Sequence, residues 1–266
     1  MRAIQRNIRG KLSNNERSYG IAIQLPCPEI VEIVGATGYD FAWIDAEHGC
    51  FSLSEIRDLI RSADAFDIDS IVRVPSHDVT FIQRVLDLGA TGILVPHIRT
   101  VEDGIAVAAA TRYGPSGTRG ACPGTRAVGH VTEDWVSDYQ RADQDVLIFG
   151  LIEDLEGMEN VDAIARECGF DGLMYGPFDL SMALGLKGDV THPTVRKMHD
   201  RVIEATRAAG IEYVASNASW ESDLEASGAR IIAVAGDRFA LFNSFRQGLA
   251  DVKCRFSTEG NDTSQV

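Results

Sequence analysis

GYDFAWIDAEH, running from Gly38 to His48, sets a pattern that recurs along the chain: a glycine closes a helix, a short apolar strand follows, and a charged or imidazole side chain stands where the strand ends. The same phrase returns as GATGILVPH (Gly89 to His97), GFDGLMYGPFD (Gly169 to Asp179) and GARIIAVAGD (Gly228 to Asp237). Apolar runs of four to six residues without polar alternation suit strands buried on both faces, as in a parallel sheet under helices. Eight such strands are predicted, at Tyr19 to Ile23, Phe41 to Asp45, Ser70 to Val74, Gly92 to Val95, Val146 to Ile152, Gly172 to Tyr175, Glu212 to Ala215 and Ile231 to Val234.

Helical patterns fill the gaps, at about 28–37, 52–65, 78–88, 100–112, 157–168, 193–209, 219–227 and 238–251. Ser52 with Glu55, and Thr100 with Asp103, have the spacing of capping boxes. Regular alternation favours a parallel sheet with right-handed crossovers. The 266 residues match the ~250 of a (β/α)8 TIM barrel. No Gly-x-Gly-x-x-Gly follows an early strand to suggest a dinucleotide fold. We therefore expect one α/β barrel domain over residues 1–256 and a disordered tail over 257–266. Residues 114–144, rich in Gly, Pro, Thr and Arg, are long for a connection and read as a functional or intersubunit loop.

Composition narrows the function. A net charge of −14 without a basic stripe argues against nucleic acid. No apolar run approaches the ~20 residues of a membrane span. The basic N-terminus lacks the apolar segment of a secretory signal, so a cytoplasmic protein is expected. Five scattered cysteines without Cys-x-x-Cys spacing suit plain thiols better than a disulfide framework or a zinc site.

The strand ends carry the chemistry, because in a closed parallel barrel they converge on one face. Glu153 and Asp179 end consecutive strands and could share a hard divalent cation; equally, they could be caps or ion-pair partners. Arg73 ends an otherwise apolar strand, which calls for a structural carboxylate or an anionic ligand. His48 follows Asp45 by three residues. It reads as a surface histidine or as a general base, with Asp45 or Glu47 orienting it or holding metal-bound water. His97 could line the pocket mouth or satisfy backbone groups beneath it.

FAWIDAEHG, SIVRVPSHD, LDLGATGILVPHI, RYGPSGTRG, LIEDLEGMENVDAI and GLMYGPFDLSMALG, in this order between Tyr19 and Leu249, together resemble the HpcH/HpaI aldolase family. The resemblance implies a metal-dependent class II pyruvate aldolase, a carbon–carbon lyase of 4-hydroxy-2-oxo acids such as 4-hydroxy-2-oxoheptanedioate. Its partners would be a small 2-oxo acid and an aldehyde, and its cofactor Mg2+, Mn2+ or Co2+. It further implies a homo-oligomer, a hexamer built as a trimer of dimers that exchange a C-terminal helix. Residue by residue, Glu153 and Asp179 match the metal ligands and Arg73 the arginine at the pyruvate end. His48 matches the acid/base histidine, Asp45 its neighbour, and Asp87 an acidic partner of that histidine.

The resemblance also implies that Leu151, Gly176, Pro177 and Phe178 fall at the substrate side of the metal. Two of them depart from the family pattern: Leu151 stands where a glutamine is usual, and Phe178 where a small residue is. Ala46 replaces a usual glycine. The four lysines, Lys11, Lys187, Lys197 and Lys253, avoid the predicted strand ends, in keeping with chemistry that needs no Schiff base. Two other readings stay open: an oxaloacetate decarboxylase or macrophomate synthase-like enzyme using the same enolate, and a catalytically silent binding barrel.

Overall fold

The computed structural model describes residues 7–216 and 224–259. Its eight strands are β1 (Ser18–Ile23), β2 (Phe41–Asp45), β3 (Asp69–Arg73), β4 (Gly92–Val95), β5 (Leu147–Ile152), β6 (Gly172–Tyr175), β7 (Glu212–Ser216) and β8 (Ile231–Gly236). Each pairs in parallel with the next, and β8 pairs with β1, which closes the barrel. The (β/α)8 architecture read from the sequence is therefore the observed one. Every residue of β4, β5 and β6 is buried, as continuous apolar runs require between a packed lumen and an outer layer of helices.

Four helices lie in the first half of that layer: α2 (Pro28–Ala36), α3 (Leu53–Ala65), α4 (Val79–Asp87) and α5 (Val101–Thr111). Both expected capping boxes are made. The Ser52 hydroxyl accepts from the Glu55 amide at 3.3 Å, and the Thr100 hydroxyl from the Asp103 amide at 3.1 Å. In the second half lie α7 (Leu155–Glu167) and α9 (Pro193–Ala209). The short α10 (Leu224–Ser227) covers only the end of the helix expected at 219–227, whose earlier residues lie outside those described.

Three further helices have no amphipathic stripe long enough to announce them. A seven-residue α1 (Asn7–Ser13) plugs the bottom of the lumen, where the fully buried Ile8 joins Phe41, Ile71, Leu147 and Ile231. Burying an isoleucine contributes roughly 1.5–3 kcal/mol. The Ile8 amide also donates to Asp69 at 2.8 Å, and Arg9 pairs with Asp171 at 3.0 Å. Within the long connection, α6 (Trp135–Asp145) buries only Ala142, and its Trp135 and Tyr139 rings cluster with Tyr113. After β6 the chain turns at once into α8 (Pro177–Ala183), with Pro177 at the position where a missing N–H costs nothing.

The last helix, α11 (Asp237–Glu259), begins against the barrel and then leaves it. Every residue from Arg238 to Phe256 is exposed in the single chain, including Phe239, Phe242, Phe245, Leu249 and Phe256. It runs past Phe256, where the domain was expected to end. Residues 260–266, the rest of the expected tail, lie outside the described residues.

Candidate active site

Strand register assembles the site. Asp45 of β2 stands opposite Arg73 of β3, so their side chains meet at the C-terminal mouth. The Arg73 fork closes on Asp45 at 2.8 Å through Nε and 2.6 Å through Nη2. Asp45 also accepts from Gln24 Nε2 at 2.7 Å and from the His48 backbone amide at 3.2 Å. Burial alone would raise the Asp45 carboxyl, but the Arg73 fork, Gln24 and the His48 amide hold it below the usual carboxylate range. The structural reading of Arg73 is the one the chain itself satisfies: Nε and Nη2 serve Asp45, and Nη1 lies 3.1 Å from Glu47 Oε2.

Glu153 follows β5 and is 4% exposed. The β5–β6 register pairs Ile152 with Tyr175, which puts Gly176 beside Glu153. The glycine is required there: a Cβ at residue 176 would stand 2.6 Å from Glu153 Cβ and 2.8 Å from its Oε2. Glu153 Oε1 accepts from the His97 amide at 3.0 Å, whereas no donor among the described residues reaches Oε2. Burial pushes the Glu153 carboxyl up to about 7; the neighbouring His97 works against this, and the charges of Glu47 and Asp179 add to it. A buried carboxylate with a free oxygen and too few cations around it is a natural partner for a hard divalent ion. Glu47, His97 and Glu153 can each bring one ligand atom to within 4.8 Å of the others.

The remaining predicted residues fall around this centre. Asp179 lies in the first turn of α8, exposed, with its charge felt at Glu153. The His48 ring is largely exposed, and its Nε2 is 3.7 Å from Glu47 Oε2. Leu151 is buried in the lumen beneath Gly176. Pro177 is buried at the start of α8. Phe178 is 60% exposed and lies against Gly188, so its ring turns outward from the metal residues.

Asp87 does not join them within the chain. It ends α4 and accepts from Arg119 Nη2 at 2.7 Å, with the Arg119 guanidinium stacked on Tyr113. Among the described residues of one chain it makes no contact with His48. The pair instead straps the 114–144 connection to the outer helices, helped by Gly120 donating to Gln83 and by an Arg126–Asp64 ion pair.

Two residues left without a definite role lie within this cluster. Glu47 is gripped by Arg73, and His97 has its ring Nδ1 2.9 Å from Asp154 Oδ2. Burial disfavours the charged ring, but Asp154, Glu153 and Glu47 outweigh it and raise the His97 pKa. His97 also adopts a left-handed backbone, φ 56°, which the motif LVPH does not announce. Beyond it opens a cleft of about 440 Å3 lined by His77, Arg99, Thr100 and Asp103 among others.

Comparison with known proteins points to one family. The family model of the HpcH/HpaI aldolase/citrate lyase family matches residues 20–244. A hydroxypyruvate/pyruvate aldolase of Roseobacter denitrificans is 35% identical over 239 residues, 88% of this chain and 91% of that protein. A 5-keto-4-deoxy-D-glucarate aldolase of Citrobacter koseri is 34% identical over 239 residues, covering 86% and 91% respectively. The crystal structure of macrophomate synthase superposes with a TM-score of 0.85 at 31% identity, over 96% of this chain and 90% of the other. With a closed barrel, an acidic mouth and a match across nearly its whole length, the chain belongs to the HpcH/HpaI aldolase/citrate lyase family.

Proposed function

We propose that this protein is a class II pyruvate aldolase, a carbon–carbon lyase that cleaves or forms 4-hydroxy-2-oxo acids with the help of Mg2+, Mn2+ or Co2+. The observation that carries the reading is Glu153, a buried carboxylate pushed up to about 7 with one oxygen lacking a donor, beside an arginine at the barrel mouth. Glu153 and Asp179 would hold the cation. When bound, it polarises the 2-keto oxygen and stabilises the negative charge that develops there as the bond between C3 and C4 breaks.

The chain's own residues do the rest. Arg73, locked by Asp45 through Nε and Nη2, presents its charge to the substrate's carboxylate end. His48, exposed at the mouth, takes the proton of the 4-hydroxyl during cleavage and returns it during synthesis. Gly176 and Pro177 form the wall beside Glu153, and Leu151 the floor. The names of the relatives point to pyruvate or hydroxypyruvate as the half that becomes the nucleophile. Incubation with pyruvate, a divalent cation and a panel of hydroxylated aldehydes tests this; a 4-hydroxy-2-oxo acid product supports it.

A second reading is oxaloacetate decarboxylation feeding another bond-forming step, favoured by the likeness to macrophomate synthase. Rapid loss of oxaloacetate supplied alone, with no aldol product from pyruvate and the aldehydes, would select it. A catalytically silent barrel is disfavoured by the intact cluster of Glu153, Asp179, Arg73 and His48.

Leu151 offers a test of the pocket floor. Because it cannot donate to a bound 2-oxo acid, Leu151→Gln is expected to tighten pyruvate by about 1 kcal/mol, the size of a typical net hydrogen bond. Isothermal titration with pyruvate checks this, and Phe178→Ala, whose ring faces outward, is expected to change little. An unchanged Leu151→Gln affinity would remove Leu151 from the substrate's surroundings.

The assembly is proposed to be a homo-oligomer, a hexamer built as a trimer of dimers that exchange α11, acting in the cytoplasm. The exposed phenylalanines of α11 support the exchange, since a contiguous apolar row of this kind calls for a covering surface. Light scattering is expected to give six times the chain mass, and deletion of α11 to lower it; a monomeric parent would overturn this. Cys27, Cys50, Cys122 and Cys168 are thiols, in keeping with a reducing compartment. Among the described residues no helix is long and apolar enough to cross a membrane.

A further inference from the structure

His97 is held as histidines that bind metals are held. Its backbone amide donates to Glu153 Oε1 at 3.0 Å, which fixes the residue beside the buried carboxylate. Its ring Nδ1 lies 2.9 Å from Asp154 Oδ2, and the other oxygen of Asp154 is taken by Arg99 Nη2 at 3.2 Å. A carboxylate fixed from both sides selects the tautomer with hydrogen on Nδ1. That leaves the lone pair on Nε2, the arrangement in which a ligand imidazole usually has its far nitrogen bonded to a carboxylate.

Nε2 faces the remaining acid. It lies 3.9 Å from Glu47 Oε1, and Glu47 is in turn fixed by Arg73. Bonds of about 2.1 Å place ligands on opposite sides of an octahedral ion about 4.2 Å apart, and adjacent ones about 3 Å apart. The 3.9 Å gap is of that size, and one ligand atom each of Glu47, His97 and Glu153 gather within 4.8 Å of one another, with the Nδ1 side of the ring 3.4 Å from Glu153 Oε1. An ion pair alone would account for a histidine among carboxylates. It would leave the buried Oε2 of Glu47 without a hydrogen bond among the described residues, since Arg73 Nη1, 3.1 Å away, meets it only as a charge.

We propose that His97 is a nitrogen ligand of the divalent cation in this chain, positioned by Asp154 and Arg99, and that it biases the site toward Co2+ over Mg2+. This rests on the metal-dependent reading above. Imidazole adds little to Mg2+, which prefers oxygen and keeps its waters, but it strengthens binding of the later first-row ions.

Pulsed EPR of the full-length protein loaded with Mn2+ tests the ligand directly, and its expected result is modulation from a directly bound nitrogen. His97→Ala and the bulkier His97→Gln are expected to remove that signal. They should weaken Co2+ by about 10-fold or more and Mg2+ by less than about threefold. Asp154→Asn is expected to keep the nitrogen signal but weaken Co2+ by about 10-fold, within the range for outer partners of a ligand histidine. The parent spectrum needs no variant, so a poorly folded mutant cannot rescue the proposal. A parent that binds Mn2+ without nitrogen coupling, or variants that weaken both ions equally, would overturn the assignment of His97 and leave the aldolase reading intact. A parent that binds no divalent cation would overturn both.

Discussion

Stripping the protein of divalent cations with a chelator is expected to lower aldol cleavage by at least about 10³-fold, with Mg2+, Mn2+ or Co2+ restoring it. The size follows from the several kcal/mol that a Lewis acid contributes at a developing oxyanion, each 1.36 kcal/mol being tenfold in rate. Glu153→Ala and Asp179→Ala should match the chelated enzyme, with the barrel still folded by circular dichroism. Full activity in a sample verified as free of metal would defeat the proposal.

The raised Glu153 carboxyl gives this prediction a pH signature. Below about 7 the group is protonated in the metal-free chain, so a cation must displace a proton to bind. Apparent affinity is expected to weaken about tenfold for each pH unit below 7, and titration in buffers of different ionisation enthalpy should show proton release. The sign for stability follows from the same shift. A carboxyl raised from its ordinary 4.5 to about 7 is protonated in the folded chain across a window where the unfolded chain is already ionised. The metal-free protein therefore loses stability as pH rises through that window. Added cation should recover the loss, which melting curves at pH 5 and 8 with and without metal would reveal.

The second large effect is expected at His48. Its replacement by alanine should lower aldol cleavage by about 10²- to 10⁴-fold, the usual contribution of a general acid or base. Oxaloacetate decarboxylation should fall by far less, because loss of CO2 takes no proton from a hydroxyl. Steady-state rates for both reactions on the same preparation separate the cases. Equal losses would mean that His48 supports the site through Glu47, 3.7 Å away, and moves no substrate proton.

The barrel was legible because burial writes itself into local sequence. FAWID, GILV and GLMY are strands with the predicted limits, since a strand covered on both faces tolerates only apolar side chains along its length. The chemistry at their ends was legible for the same reason, as a charge that closes an apolar run has to face the mouth. Glu153 and Arg73 are of this kind. Less legible were α1 and α6, too short or too weakly amphipathic to announce themselves, and the end of α11 beyond residue 251, whose apolar side chains have nothing within the chain to cover them.

Which charges touch is a different matter, settled by register and barrel closure. The sequence alone determined a parallel eight-stranded barrel with acids, an arginine and histidines at its strand ends. Only the tertiary structure decided that Asp45 grips Arg73 across a strand pair, and that Asp87 is drawn to Arg119 on the outer layer. It alone turned Phe178 outward, and it alone brought Glu47, His97 and Asp154 around Glu153. The physical reason is range. Hydrophobic burial is averaged over several neighbouring residues and so leaves a periodic trace, whereas an ion pair or a ligand set depends on atoms a few ångströms apart on strands far apart in the chain.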